Sequence, residues 1–435
     1  MLRTEENQRL TSVGPGTPIG DLMRRYWLPA CLSKELAAGG AVKPVELLGE
    51  RLVAFRSPAG EVGIIDEACP HRGTSLLLAR NEKCGLRCIY HGWQVDRTGR
   101  VVDVPTSRNP ERIAQIVRHG AYPVVERGGL VWTCLSPDGG MPEPPMFKWL
   151  TLPTDHLEVV KARVDASWAQ GIESLIDSAH ATYLHADSVR ATSGVKTGEW
   201  TERGLDRNSA DGQPVLEVED RPYGFRYAAV RRPMTDADRL RHVRTTLFIA
   251  PVFACVAAPA GRGMFQCFVP VDDRRATAYF VYFTTDGPMS DEHRTWFQRS
   301  WWGVEPGVDI DQETFRKARR PDNQWLQDRA AMQREETYSG ISGVFNEDQS
   351  VVEGMGPIVD RSIEHLGPTD LAVVRFRRVM LANARDVAAG GPPLGWDGIP
   401  HERLDAAEGL VPHGERWQDL LPDGLDVEPA TSGSR

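Results

Sequence analysis

The chain contains 435 residues, enough for two or three domains of ordinary size and a substantial buried core. Its 51 lysine and arginine residues against 60 aspartate and glutamate residues give a net charge of −9, which does not favour binding to nucleic acid or to acidic membranes. Hydrophobic residues make up 41% and charged residues 26%, which is typical of a globular protein and excludes a disordered or fibrous chain.

The N-terminal segment does not resemble a signal peptide. Residues 1–7 include charges where a signal peptide needs an apolar stretch, and no apolar run elsewhere approaches about 18 residues. Seven cysteines, an odd and scattered set, fit a reducing compartment better than a disulfide framework. We therefore expect a cytoplasmic protein that does not span a membrane.

Short apolar segments separated by turn signals fill the first third of the chain. Val45–Leu48, Leu52–Phe55 and Val62–Ile65 have the alternation of antiparallel strands. Val101–Val102 follows a turn and Leu130–Thr133 has the composition of a closing strand. The pattern predicts a small all-β domain.

A segment rich in proline and glycine lies between residues 138 and 153, where neither a helix nor a central strand is favoured. We place a domain boundary there, between 1–145 and 146–435. Residues 429–435 are small and polar, and we expect them to form a frayed C-terminal tail.

The second domain combines both periodicities. Ser167–Ala186 has helical spacing, whereas 225–230, 245–250 and 278–283 alternate as sheet strands do. These patterns predict a mixed α+β domain.

Two short segments carry one cysteine and one histidine each: Cys69 with His71, and Cys88 with His91. A Rieske 2Fe–2S centre needs two thiolates on one iron and two imidazoles on the other, a division that mixed pairs supply. Zinc fingers usually pair like residues with like. The spacing therefore predicts a Rieske cluster on these four residues, with a Cys2His2 zinc site or a chance arrangement of the four residues as the alternatives.

A second group of candidate ligands follows the linker. Glu173, Asp177 and His180 lie at positions i, i+4 and i+7, on one face of the predicted helix. His185 lies about 140° further round, so both histidines can meet one metal only if the helix bends or ends near there. Two imidazoles and one carboxylate form the iron(II) site of non-haem oxygenases, which keeps positions open for dioxygen and substrate. The carboxylate must come from elsewhere.

With these two motifs in this order, the chain resembles the α subunits of Rieske non-haem iron oxygenases along nearly its full length. Val13–Pro18, Arg24–Ala30 and Glu353–Ser362 are similar to the phthalate 4,5-dioxygenase oxygenase branch. The resemblance implies the fold class α+β: an N-terminal Rieske all-β domain, followed by an α+β catalytic domain with a central antiparallel sheet of the helix-grip, START-like type.

The third iron ligand of the family is an aspartate in a downstream helix, and the resemblance places it at Asp348. Glu353 and Asp360 are rival carboxylates. In the alternative interpretation, Asn346 is the N-cap of a helix and Gln349 is the N3 residue that completes a capping box. Asp348 then only lies near the helix N-terminus, whose positive end favours a carboxylate.

The resemblance assigns a different role to Asp177. It implies that Asp177 hydrogen-bonds His180 of its own chain and His91 of a neighbouring subunit, so that electrons cross between chains in a head-to-tail ring, a homotrimer or a multiple of trimers. The alternative is that Asp177 only orients His180.

The sequence contains no flavin or nicotinamide fingerprint. Gly14–Gly20 is rich in glycine but lacks a preceding strand and the spacing of a dinucleotide-binding loop. We expect one 2Fe–2S Rieske cluster and one mononuclear Fe(II) per chain, with no flavin or NAD(P) site. Electrons from NAD(P)H must then come through a separate reductase, which the resemblance implies is an iron–sulfur flavoprotein.

The branch favours aromatic carboxylates, and a buried carboxylate is best bound by an arginine together with a hydroxyl or amide donor. Ser178, Arg207 and Arg244 are the candidate substrate-binding residues. In the alternative interpretation each arginine is a surface charge.

The leading hypothesis is a Rieske dioxygenase that cis-dihydroxylates an aromatic carboxylate. The second is a Rieske monooxygenase that dealkylates at oxygen or nitrogen, or hydroxylates. A Rieske electron-transfer protein would hold the cluster without mononuclear iron. A binding module stapled by zinc would contain no reducible centre.

Overall fold

The computed structural model describes residues 2–191, 199–201, 204–207, 209–258, 261–303 and 309–421. In 189–191, 199–201 and 204–207 it describes the backbone alone. The predicted frayed tail, 429–435, lies outside the described residues.

The N-terminal third is built from short strands and three helices. In chain order they are α1 (Thr4–Thr11), α2 (Pro18–Met23), β1 (Leu28–Leu32), β2 (Lys43–Leu47), β3 (Glu50–Arg56), β4 (Val62–Asp66), β5 (Arg80–Glu82), β6 (Gly85–Arg87), β7 (Gln94–Val95), β8 (Val101–Asp103), α3 (Pro110–Ile116), β9 (Ala121–Tyr122), β10 (Val124–Arg127) and β11 (Leu130–Thr133). The strands pair antiparallel in the orders β1-β11-β10, β2-β3-β4-β9 and β5-β6-β7-β8. The predicted antiparallel β unit is confirmed, and helices α1, α2 and α3 are added to its sheets.

Part of this unit has a small apolar core of its own. Phe55, Ile65 and Leu86 belong to it, and both Cys69 and Cys88 are buried in it at 4% exposure. The two cysteine loops are therefore anchored by apolar packing independent of the larger domain.

The C-terminal part combines one large sheet with packed helices. Its elements are β12 (Leu157–Val164), α4 (Trp168–Leu175), β13 (Val189–Ala191), β14 (Glu199–Thr201), β15 (Gly204–Arg207), β16 (Val215–Arg221), β17 (Gly224–Arg231), β18 (Leu240–Ile249), β19 (Phe253–Val256), β20 (Arg262–Asp272), β21 (Arg275–Thr284), α5 (Asp291–Trp296), α6 (Arg329–Gln333), α7 (Val344–Gly354), α8 (Leu371–Ala388) and β22 (Glu408–Pro412).

The large sheet is antiparallel in the order β12-β21-β20-β19-β18-β17-β16, and β22 pairs with β18. Helix α4 packs on β20 and β21 and contacts α7, while α8 packs on β16 and β17. Strands β13, β15 and β14 form a separate small sheet. The α+β class is confirmed. Within the described residues, no helix has both the length and the apolar character to cross a bilayer.

The helix predicted over 167–186 is wrong in its second half, because α4 ends at Leu175. Asp177 Oδ1 accepts a hydrogen bond from the Ala179 N–H at 2.7 Å, a local bond that competes with helix continuation. A 3₁₀ turn then begins at His180. The predicted common helical face of Glu173, Asp177 and His180 is therefore also wrong.

Glu173 instead joins four parts of the fold. Its carboxylate accepts from Arg361 at 2.9 and 3.0 Å and from Arg377 at 2.7 Å. Arg361, which is 0% exposed, also donates to Asn7 at 2.8 Å, and Arg377 also binds Glu364. The network ties α1, α4, α8 and the segment between α7 and α8 together.

We expect the Glu173→Gln variant to be destabilised by about 3 kcal/mol, because removing one charge leaves Arg361 buried without a carboxylate partner. Urea denaturation followed by far-UV circular dichroism measures the loss. Glu336→Gln is the matched control, since its ion pair with Arg334 is more than half exposed on both sides. Equal midpoints for the two variants would show that the Glu173 network does not stabilise the fold.

Candidate metal centres

The two cysteine loops have the same backbone geometry. The Gly73 N–H donates to the Cys69 carbonyl at 2.9 Å, and the Gly92 N–H donates to the Cys88 carbonyl at 3.0 Å. Both glycines have a positive φ, +74° and +76°, which other residues rarely adopt. Each loop therefore makes a tight turn just after its cysteine, and the two turns place His71 and His91 on the same side.

The four side chains of these loops converge. The ring centroids of His71 and His91 are 4.6 Å apart, and Trp93 stacks on His71 at 4.7 Å. The buried Nδ1 of His91 has no hydrogen-bond partner among the described residues. Burial raises the pKa of the Cys69 thiol, which also contacts Cys88. Two sulfurs and two imidazoles with an unsatisfied nitrogen fit the ligand set of a 2Fe–2S Rieske cluster.

Three atoms from two distant segments meet at the second centre. His180 Nε2 and His185 Nε2 are 3.2 Å apart, and Asp348 Oδ1 lies 3.4 Å from the first and 3.0 Å from the second. The histidines come from the turn after α4, and the carboxylate comes from α7. Asp348 Oδ1 is buried, but neither ring meets it in hydrogen-bonding geometry.

The Nδ1 nitrogens of both histidines lie close to other carboxylate oxygens. His185 Nδ1 lies 2.7 Å from Glu347 Oε2, and His180 Nδ1 lies 3.4 Å from Asp177 Oδ2. With the ring protons on Nδ1, both Nε2 lone pairs face the Asp348 carboxylate. Such an arrangement needs compensating positive charge, either a metal ion among the three atoms or protons on the imidazoles.

The electrostatics favour positive charge at this point. Burial alone would keep His180 neutral, but its close contacts with the carboxylates of Asp177 and Asp348 outweigh burial and raise its pKa to about 10. The pKa of His185 is also raised, and that of Asp348 is lowered well below its usual range because both histidines stabilise its anion against burial. Two imidazoles and one carboxylate in this field suit a divalent iron with open positions.

The rival carboxylates lie elsewhere. Glu353 accepts from Trp325 Nε1 at 2.8 Å, and Asp360 accepts from its near neighbour Ser362. The capping interpretation of Asn346 is wrong, because α7 begins after Gly343 and Asn346 lies buried inside the helix. Of the candidates, the structure brings Asp348 alone to the histidines; its binding of iron stays a prediction.

Glu347 is a site residue that was not predicted from the sequence. Its Oε2 meets His185 and its Oε1 accepts from Ser339 Oγ at 2.5 Å, so it fixes the orientation of the imidazole. A metal-binding histidine usually donates its second nitrogen to such an acceptor. The adjacent acidic pair Glu347 and Asp348 was the only signal in the sequence.

The candidate substrate residues have unequal positions. Ser178 is buried, and its carbonyl and hydroxyl oxygens accept from Arg231 Nη2 at 2.6 and 3.1 Å. Arg244 is 7% exposed on β18; its Nε lies 3.6 Å from Glu408 and makes no hydrogen bond among the described residues. Arg244 is therefore not a surface charge. Arg207 ends β15, and its side chain lies outside the described part of the chain.

We expect the Glu347→Gln variant to bind Fe(II) about 10- to 100-fold more weakly, because it loses the anionic acceptor that orients His185. Chelator competition on anaerobic protein measures this affinity. Glu353→Gln makes the same change on the same helix away from the histidines and should keep the affinity of the unmodified chain. If both variants bind iron equally well, Glu347 does not orient the ligand.

The chain matches known proteins over both parts. Residues 26–123 match the Rieske 2Fe–2S domain family, and residues 133–430 match the family described as LigXa C-terminal domain like. The phthalate 4,5-dioxygenase oxygenase subunit of Pseudomonas putida is 40% identical over 427 residues, covering 96% of this chain and 94% of that protein.

A second relative is the 3-chlorobenzoate-3,4-dioxygenase oxygenase subunit of Comamonas testosteroni, 35% identical over 444 residues and covering 99% of this chain and 98% of that protein. The solved structure of NdmA from Pseudomonas putida CBB5 with caffeine aligns with a TM-score of 0.59 at 19% identity. The alignment covers 86% of this chain and 94% of that one, which shows a shared fold.

Proposed function

The chain belongs to the family of Rieske non-haem iron oxygenase α subunits, and from that premise we propose that it hydroxylates an aromatic carboxylate with dioxygen, most simply by cis-dihydroxylation. It is an oxidoreductase whose family carries a Rieske cluster and a mononuclear iron. The observation that carries the proposal is the convergence of His180, His185 and Asp348 in a chain that also holds the two cysteine–histidine loops.

When bound, the cluster supplies single electrons and the iron supplies dioxygen activation at its open positions. We assign Cys69, His71, Cys88 and His91 to the cluster and the three converging residues to the iron. A zinc-stapled module does not account for two separate ligand sets. A pure electron-transfer protein does not account for the second ligand set, His180, His185 and Asp348.

Asp177 is the proposed link between the two centres. Burial opposes its charge, but hydrogen bonds from His180 and the Ala179 N–H outweigh burial and keep its pKa below the usual value. Its side chain is 27% exposed, so one edge of an ionised carboxylate is open to a second subunit. We propose that His91 of a neighbouring copy binds there, which requires a head-to-tail ring, in the simplest case a homotrimer.

Arg244 and Ser178 are proposed to bind the substrate carboxylate. The hydroxyl of Tyr227 donates to the Ile176 carbonyl at 2.7 Å, and Tyr227 pairs with Thr246 on β18, two residues from Arg244, so Tyr227 and Arg244 share one face of the sheet. Arg244 is therefore on the side of the sheet that faces the end of α4, where the turn that carries His180 follows. The names of the two relatives specify phthalate and 3-chlorobenzoate, which are both aromatic carboxylates. Arg207 is proposed as a third contact on sequence grounds alone.

The electron donor, the domain division and the location of the chain are also proposed. An oxygenase subunit of this family takes electrons from a reductase, and we propose a separate iron–sulfur flavoprotein for that role.

We propose a division into 1–145 and 146–435, supported by residues 140–147, which form neither helix nor strand. A cytoplasmic location is proposed from the odd and scattered set of seven cysteines, which fits a reducing compartment.

The reaction is tested with aryl carboxylates, a reductase and labelled dioxygen. Cis-dihydroxylation places both labelled atoms in one product, whereas dealkylation releases an aldehyde and would establish the monooxygenase alternative. We expect the Arg244→Met variant to raise KM by about tenfold or more, because a charge-assisted hydrogen bond to the carboxylate is lost, and to raise KM less for an amide analogue, which is neutral.

Arg241→Met is the control, since Arg241 lies on the same strand and donates to the Glu415 carbonyl instead. An unchanged KM in Arg244→Met would exclude Arg244 from the substrate site. Absence of any oxygenated product across the series would refute the proposed substrate class.

A further inference from the structure

Lys317 is a charged residue in the interior of the catalytic domain. It is 3% exposed, and its Nζ lies 4.1 Å from the ring centroid of Phe345 and 4.7 Å from that of Trp302. These two rings stack on each other at 4.2 Å with an angle of 12°. No carboxylate pairs with the amine in the described part of the chain, which is unusual for a buried lysine.

The amine donates to two oxygens that belong to separate segments. It meets Asn346 Oδ1 at 2.5 Å and the Trp302 carbonyl at 3.2 Å. The amide of Asn346 in turn donates to the carbonyls of Gly303 at 2.8 Å and Ser342 at 2.7 Å. Both polar atoms of the Asn346 side chain are thus hydrogen-bonded, and Lys317 supplies the donor for the acceptor Oδ1.

The backbone contact beneath this network is very close. A Cβ on Gly343 would lie 2.2 Å from Gly303 Cα, and both glycines have a positive φ, +91° and +71°. The backbone of residues 302–303 is therefore in direct contact with the start of α7. No residue larger than glycine fits at position 303 or 343. The place where α7 begins is fixed by this contact together with the hydrogen bonds of Asn346.

Asn346 immediately precedes Glu347 and lies two residues before Asp348. We propose that Lys317 is a positioning residue for the iron site: by holding Asn346, it fixes the first turn of α7 and so the place of the Asp348 carboxylate and of the Glu347 acceptor. This inference rests on the proposed role of Asp348 as an iron ligand. Burial lowers the pKa of the Lys317 amine, so stability alone does not favour a lysine here.

Lys161 provides a matched comparison. Its side chain is 9% exposed and also lies over an aromatic ring, with its Nζ 3.9 Å from the ring centroid of Phe315. Its partner is the Glu35 carboxylate at 2.6 Å, and it lies on β12, away from α7. A purely structural role for buried lysines predicts the same consequences at both positions, whereas positioning of the iron site predicts a difference.

The test compares Lys317→Met and Lys161→Met in the full chain with its cluster reconstituted. Fe(II) affinity is measured by chelator competition, and the Rieske optical spectrum reports cluster content in the same samples. We expect Lys317→Met to bind Fe(II) at least about tenfold more weakly with a full cluster spectrum, and Lys161→Met to keep the original affinity. Amide hydrogen exchange of 344–350 in iron-free protein should be faster in Lys317→Met only.

Unchanged Fe(II) affinity in Lys317→Met, or an equal loss in both variants, would overturn the proposal. If Lys317→Met does not fold, Lys317→Gln decides in the same way, because its amide can still donate but cannot reach both oxygens. The exchange measurement does not depend on iron. If the unmodified chain binds no mononuclear iron, the proposed function fails, while the exchange result still shows whether Lys317 fixes α7.

Discussion

The catalytic part of the fold depends on one constraint: two imidazole nitrogens and a carboxylate oxygen from segments far apart in sequence must meet within 3.4 Å in a partly buried site. Three such groups approach this closely only when positive charge, from a metal ion or from protons on the imidazoles, lies among them. The surrounding structure must hold the three atoms in place before the metal binds. Polar side chains around the three ligands serve that requirement.

Each ligand segment has its own anchor. The turn that carries His180 follows α4, which Glu173 ties to two buried arginines. His185 is oriented by Glu347, and the start of α7 is fixed by Asn346 and the adjoining glycine contact. Ligands held by such partners keep their geometry while other coordination positions stay open, which oxygen chemistry needs.

The sequence predicted features that depend on neighbouring residues better than contacts between segments far apart in the chain. The cysteine–histidine loops could be identified because each ligand pair lies within a few residues, and the strands because their alternation is local. The end of α4 could not, because apolar spacing continues past Leu175 and the decisive bond is made by the side chain of Asp177. Asp348 lies 163 residues from His185, so resemblance rather than spacing indicated it. Glu347 and Lys317 act through contacts that only the folded chain defines.

The most direct measurement of the central claim is the iron content of anaerobically reconstituted protein, combined with EPR before and after dithionite. We predict three irons per chain, two in a reducible Rieske centre and one mononuclear. Asp348→Asn should lose only the third iron, whereas Asp360→Asn should retain it. Cluster without a third iron, after Fe(II) has been added back, would contradict the oxygenase assignment, and zinc in a colourless protein would contradict both centres.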